Sequence, residues 1–236
     1  DEIIELCNKA GINGVEWGGD VHVPPGDLET ARAVREKTEA AGLKTSSYGS
    51  YYRCVDESGA FSEVLESAHA LGAPIIRVWA GNKGSADSTQ ADRDSVAEHL
   101  RRAVIAAREM DIGIALEYHG KTLTDTQESA HRLLKEVGLD ELKLFWQPRT
   151  AQGDVNSNLA ELSAALPHLS HVHAFHWGAK GSQEKYPLAD GIDDWSAYIK
   201  EVQSLAQDRF VILEFVKDNS PEQFLEDAAV LKGLIQ

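Results

Sequence analysis

Cysteine is scarce. The 236 residues hold two, Cys7 and Cys54. Two thiols build no disulfide framework, and a reducing cytoplasm is the default setting for such a chain. Basic residues are also few relative to acidic ones: 23 Lys and Arg stand against 38 Asp and Glu, for a formal net charge of −15. That balance argues against a nucleic-acid partner, whose affinity rests largely on phosphate neutralisation by Lys and Arg. It leaves room for a small neutral ligand, or for an anionic one in a local basic pocket. No apolar run approaches the roughly 20 residues of a membrane-spanning helix, and no signal peptide is visible, so no membrane partner is expected. No Pro-, Gly- or Ser-rich linker divides the chain, which predicts one domain over residues 1–236. No Gly-rich phosphate turn follows any strand candidate, which counts against a doubly wound nucleotide-binding sheet. Low-complexity segments are absent. The chain opens on Asp1 rather than Met, so a preceding segment is expected to be missing.

What is present is a steady alternation of strand-like and helix-like segments. The strand candidates are Gly14–Trp17, Lys44–Tyr48, Ile75–Trp79, Ile112–Tyr118, Leu142–Gln147, His171–Trp177 and Phe210–Phe215. Amphipathic stretches lie between them. Phe61, Val64, Leu65, Ala68 and Leu71 follow the helical i, i+3, i+4, i+7 spacing, with Gly72 as the stop. Val96, Leu100, Ala103, Val104 and Ala107 form a second stripe. Leu159, Leu162 and Leu166 run up to Pro167. Trp195, Tyr198, Ile199, Val202 and Leu205 form another, with Asp193 or Asp194 as its cap. Ser220-Pro221 opens the last helix as N-cap and first residue. The first ten residues are themselves helical and end at Gly11; Cys7 lies on that helix's apolar face and reads as core.

Units of βα repeating about every 30–40 residues predict a parallel sheet with crossover helices, and the length suits a (β/α)₈ TIM barrel of about 250 residues. Seven strands are legible. The first strand of the barrel is expected just upstream of this chain.

Three strands carry chemistry into their ends. His171-Val-His173 puts two imidazoles on one face of a buried strand, because side chains alternate. Glu117 ends an Ile/Ala/Leu strand, and Glu214 ends a Val/Ile/Leu strand. Unpaired buried carboxylates are costly, so each Glu needs either a neighbouring Arg or Lys or a metal ion. Two strand-borne glutamates and a histidine are a donor set for a divalent cation.

The chain resembles the xylose isomerase-like TIM-barrel superfamily, in its sugar phosphate isomerase/epimerase branch, over essentially its whole length. The resemblance is carried by Gly11-Ile-Asn-Gly-Val-Glu-Trp17, His22-Val-Pro-Pro-Gly-Asp27, Leu116-Glu-Tyr-His119 with Thr122–Thr126, Val172-His173 and Leu213-Glu214. It implies one divalent cation (Mn, Mg, Co or Zn) held by Glu117, Gln147, His173 and Glu214, with Glu117 and Glu214 also serving as acid and base. The implied activity is metal-dependent sugar isomerisation or epimerisation by proton transfer through an enediolate. Its rivals are a lyase or dehydratase acting on a keto-sugar or glycoside, and a degenerate member that only binds sugar. Gln147 departs from the usual Asp, and Thr150 from the usual His three residues later. An amide oxygen ligates Mg²⁺ or Mn²⁺ but brings no charge.

Further residues are placed around the same mouth as contacts to a sugar or polyol. These are Glu16, Trp17 and His22; then Tyr48 and Arg53; then Trp79, His119, His176 and Trp177. Aromatic faces pack on sugar C–H groups, and polar tips reach hydroxyls. Arg53 is the best anion contact, and His119 is placed to orient Glu117. Tyr51, Tyr52 and Trp146 are lesser candidates. His69, His99, His131 and His168 read as structural. Gly178–Ser182 reads as a flexible loop. Self-association into a homo-oligomer is compatible with this reading.

Overall fold

The computed structural model describes residues 1–55, 60–148 and 155–236. In chain order the elements are α1 (Glu2–Ala10), β1 (Gly14–Gly18), α2 (Leu28–Ala40), β2 (Lys44–Gly49), α3 (Ala60–Leu71), β3 (Ile75–Val78), α4 (Gln90–Arg108), β4 (Gly113–Glu117), α5 (Gln127–Val137), β5 (Lys143–Trp146), α6 (Val155–Ala165), β6 (Leu169–Ala174), β7 (His176–Gly178), β8 (Gly181–Tyr186), α7 (Ile192–Val202), β9 (Val211–Leu213) and α8 (Pro221–Ile235). Seven strands form one sheet in the order β1-β2-β3-β4-β5-β6-β9. The strand pairs described in that sheet are parallel. This is the α/β architecture of a TIM barrel, with seven strands in that sheet among the described residues.

The chain falls into two compact units. The central unit, Gly14–Phe145, holds β1 to β4 and most of β5 with α2 to α5. Its strands bury alternate residues outward against helices: Ile76 and Val78 on β3, and Ile114 and Leu116 on β4, are essentially inaccessible. Leu65, Leu71, Leu100, Val104 and Leu133 supply the helix side of that layer. Caps start the helices where the sequence offers oxygen. Asp27 accepts from the Thr30 N–H, Thr89 and Asp92 form a reciprocal capping box, and Thr126 accepts from Ser129. The resemblance motifs therefore have local physical jobs. Thr122 Oγ1 donates to the His119 carbonyl at 2.7 Å and Thr124 Oγ1 to the Glu117 carbonyl at 2.5 Å, bracing the segment that follows β4.

The terminal unit joins Asp1–Asn13 to Trp146–Gln236. Helix α1 ends where Gly11 takes φ 64°, a left-handed conformation that costs glycine nothing. Ser220 caps α8 ahead of Pro221, as expected. Two expectations need correction. Helix α7 is capped by Gly191, with no side-chain capping bond; Asp193 and Asp194 lie within its first turn, where carboxylates complement the helix dipole. The run His171–Trp177 is not one strand. It breaks at Phe175, and His176–Gly178 turns into an antiparallel hairpin with Gly181–Tyr186, so Gly178–Ser182 is the hairpin's turn region rather than a loop.

Asp227 on α8 is 4% exposed, and its Oδ1 accepts from the Leu188 N–H at 2.8 Å and from Gln223 Nε2 at 3.0 Å. Burial pushes this carboxyl above the ordinary Asp range, against the pull of those two bonds. The folded state then holds the proton more tightly than the unfolded chain. Stability should fall as pH rises from the unfolded pKa, about 3.9, through the raised folded one, and stay at the lower level above it. Asp227→Asn keeps the acceptor and removes the ionisation. It is expected to flatten this decline and to be no less stable than the parent at neutral pH, as read by denaturant titration across pH. A variant with an unchanged pH dependence would contradict this.

Candidate functional site

In the central unit, a charged cluster sits at the C-terminal ends of β1 to β4. The β1–β2 ladder shifts register between Val15 and Glu16, so Glu16 pairs with Ser47. Such irregularities re-aim side chains beside functional sites. Ser47 Oγ donates to Glu16 Oε2 at 2.7 Å, and Arg77 Nε donates to Glu16 Oε1 at 3.0 Å. The other arm of the same guanidinium, Nη1, donates to Glu117 Oε2. Trp79 Nε1 donates to that same oxygen at 2.5 Å. Arg77 and Glu117 are 4% and 3% exposed, so this is an interior ion-pair network. Gly49 makes it possible: a Cβ there would lie 2.7 Å from Arg77 Nη2 and 3.2 Å from Glu16 Oε1.

Trp79 is the hub of an aromatic stack. The Arg53 guanidinium lies 4.2 Å from its ring centre, His119 stacks on it at 4.2 Å, and Tyr51 meets it edge-on at 5.3 Å. His119 Nδ1 pairs with the Gly120 carbonyl, so the group donating to Glu117 is Trp79 rather than His119. Tyr48 differs from its expected place at the mouth. It is fully buried, and its hydroxyl donates to the Val23 carbonyl at 2.6 Å, tying down the loop after β1. Burial, with the nearby Asp20 charge second, pushes this phenol up. Trp17 and His22 pack edge to face at 5.5 Å.

In the terminal unit, His173 is 1% exposed on β6. Its Nδ1 lies 3.1 Å from Gln147 Oε1, just past β5, and 3.3 Å from Glu214 Oε2, just past β9. The pairing His173↔Ile212 explains this, because alternation then puts Glu214 on the face of His173. The Glu214 N–H continues the ladder to the Ala174 carbonyl at 3.0 Å. The next residue, Phe215, takes φ 53°, a left-handed conformation that is strained for an aromatic residue and fixes where the chain turns away. Phe215 also closes a stack, with Trp177 4.5 Å away and Phe175 4.2 Å beyond that. His176 lies in the hairpin against Tyr186. His171 shares the face of His173, and its Nδ1 meets the Ser170 carbonyl at 2.7 Å. Trp146 is core, packed edge-on against Tyr198. Thr150 lies outside the described residues.

Arg77 and Ser47 were not among the residues expected at the site. The available signal was an arginine inside the apolar strand Ile-Ile-Arg-Val, which must find a buried anion. Cys54 is a free, buried cysteine, and burial pushes its thiol up.

Each unit carries polar side chains at or near the C-terminal ends of its parallel strands: Glu16, Arg77 and Glu117 in the central unit, and Gln147, His173 and Glu214 in the terminal unit. The chain belongs to the xylose isomerase-like TIM barrel family, which matches residues 4–234. It is 25% identical over 256 residues to the 3-dehydroshikimate dehydratase of Bacillus anthracis, covering 98% of this chain and 90% of that protein. The crystal structure of the probable 3-DHS dehydratase involved in petrobactin synthesis in that organism superposes with a TM-score of 0.81 at 22% identity, over 98% of this chain and 92% of the other. A xylose isomerase-like TIM barrel protein from Mycobacterium smegmatis, solved in complex with magnesium, gives a TM-score of 0.71 at 17% identity, covering 99% and 87%. No described helix is long and apolar enough to cross a membrane.

Proposed function

We propose that this protein is a divalent-metal-dependent enzyme that removes a proton from a carbon beside a carbonyl, and that its reaction is loss of water from a cyclic hydroxy-keto acid of the 3-dehydroshikimate kind. The observation that carries the metal reading lies in the terminal unit, where His173 Nδ1 is 3.1 Å from Gln147 Oε1 and 3.3 Å from Glu214 Oε2; Glu117, which the family resemblance puts in the same donor set, is proposed as the further ligand. Two carboxylates and an imidazole suit Mg²⁺, Mn²⁺, Co²⁺ or Zn²⁺, and Gln147 adds a neutral oxygen beside His173. A bound cation supplies a Lewis acid that polarises the ketone and offsets the charge growing on its oxygen.

The protein's own groups do the rest. A glutamate takes the proton from the carbon next to the ketone. The electron pair forms the enolate. The hydroxyl on the following carbon then takes up the proton that the glutamate removed and leaves as water, and a ring C–H proton shifting to the ketone oxygen gives the aromatic product. Arg53, stacked on Trp79, supplies a cation for a substrate carboxylate. The full-length likeness to a dehydratase favours this outcome. The second reading, favoured by the isomerase-like family, is a sugar isomerase or epimerase. There the same proton removal is followed by return of the proton instead of loss of a hydroxyl.

Incubating the Mn²⁺-loaded protein in deuterated water with 3-dehydroshikimate, and separately with ketohexoses, separates the two. An aromatic product supports dehydration. Deuterium entering a sugar without loss of water supports the second reading. Absence of both overturns the proposal.

Gln147→Asp adds a third carboxylate to this set. It is expected to tighten Mn²⁺ binding several-fold, measured by calorimetry. Unchanged affinity would place residue 147 among the substrate contacts instead.

A further inference from the structure

We infer that Arg77 is a positioning residue for Glu117: its guanidinium, held against Glu16, fixes the rotation of the Glu117 carboxylate and so sets that group's ability to hold the cation. This deepens the metal reading above and rests on it. Three independent features converge on the one side chain. Arg77 bridges two carboxylates on different strands, through Nε to Glu16 Oε1 and through Nη1 to Glu117 Oε2. Glu16 is itself fixed, by Ser47 and by the register shift that sets it opposite that serine. Gly49 leaves the space the guanidinium occupies, since any Cβ there would collide with Arg77 Nη2. Trp79 supplies a second N–H to the same Glu117 oxygen. Two donors on the one oxygen, Oε2, restrict the rotation of the carboxylate. A planar, forked guanidinium can do this across three strands. An ammonium, being a point charge, cannot. Arg77 acts through its bond to Glu117 and is not itself a catalytic residue.

Groups that orient metal ligands in this way are typically worth about 10–100-fold in metal affinity. The test is Mn²⁺ affinity, by calorimetry, in the full chain and four variants. Arg77→Met alone strips the cation from between two carboxylates and is expected to fold poorly. The double variant Arg77→Met/Glu16→Gln removes one charge of each sign and is expected to recover part of the lost thermal stability. It should nevertheless bind Mn²⁺ about 10–100-fold more weakly. Arg77→Lys should keep most of the stability and share the loss in affinity. Trp79→Phe, which deletes one N–H and keeps the ring, should show a smaller loss in the same direction. A folded double variant, or Arg77→Lys, with the parent's Mn²⁺ affinity would overturn the inference and leave Arg77 as a counter-ion only. If the parent chain itself binds no Mn²⁺, the metal reading fails, and this inference falls with it.

Discussion

Glu214→Gln is expected to reduce turnover by at least the 10²–10⁴-fold that general acid–base catalysis contributes, with charge stabilisation adding to that loss. The amide keeps the size and shape of the side chain, so the strained turn at Phe215 and the ladder bond from residue 214 to Ala174 remain. What it loses is a proton acceptor and a negative charge beside His173. Measuring product formation at saturating Mn²⁺ removes weakened metal binding as the cause. Solvent-deuterium incorporation into unreacted substrate should fall in parallel, because it reports proton removal directly. Normal exchange in this variant, and in Glu117→Gln, would remove proton transfer by these two glutamates from the account.

Arg77→Met is expected to have the largest effect on stability, a loss of about 3–5 kcal/mol, the usual cost of breaking a buried ion pair by deleting one partner. The methionine fills much of the volume, so the loss is electrostatic rather than a cavity effect. Glu117, at 3% exposure, is left without the guanidinium that donates to it, and Glu16 loses the same partner. Chemical denaturation should show a lower midpoint with an unchanged slope. A surface pair would be worth well under 1 kcal/mol, so a loss of that size would show the network to be solvated.

The contrast between these two positions shows what a single sequence can reveal. Glu214 and Glu117 were legible because each is a carboxylate closing an apolar strand, a placement with few inexpensive explanations. The alternation His171-Val-His173 was legible for the same reason. Arg77 was not, because its meaning lies in side chains 61 and 40 residues away, on strands whose register no local pattern encodes. The register shift that brings Glu16 opposite Ser47 is likewise invisible in composition. The aromatic run Ala-Phe-His-Trp continues the apolar character of β6 without a break, which hides the hairpin beginning at His176. Helix α2 has almost no stripe to read: it buries Ala31 and Thr38, and Thr38 satisfies its hydroxyl on the Val34 carbonyl. Helix α5 does carry one, in Ala130, Leu133, Leu134 and Val137 behind the Thr126 cap. Tyr48 reads as a mouth residue from its place late in β2, and only the Val23 carbonyl explains why it is buried.

The proposed function makes Glu117, His173 and Glu214 ligands of one divalent cation. Titrating the chelator-treated protein with Mn²⁺ in a calorimeter, alongside His173→Ala, tests it most directly. The expected result is one equivalent bound per chain by the parent and little or none by the variant. No binding by the parent, or equal binding by both, would contradict it.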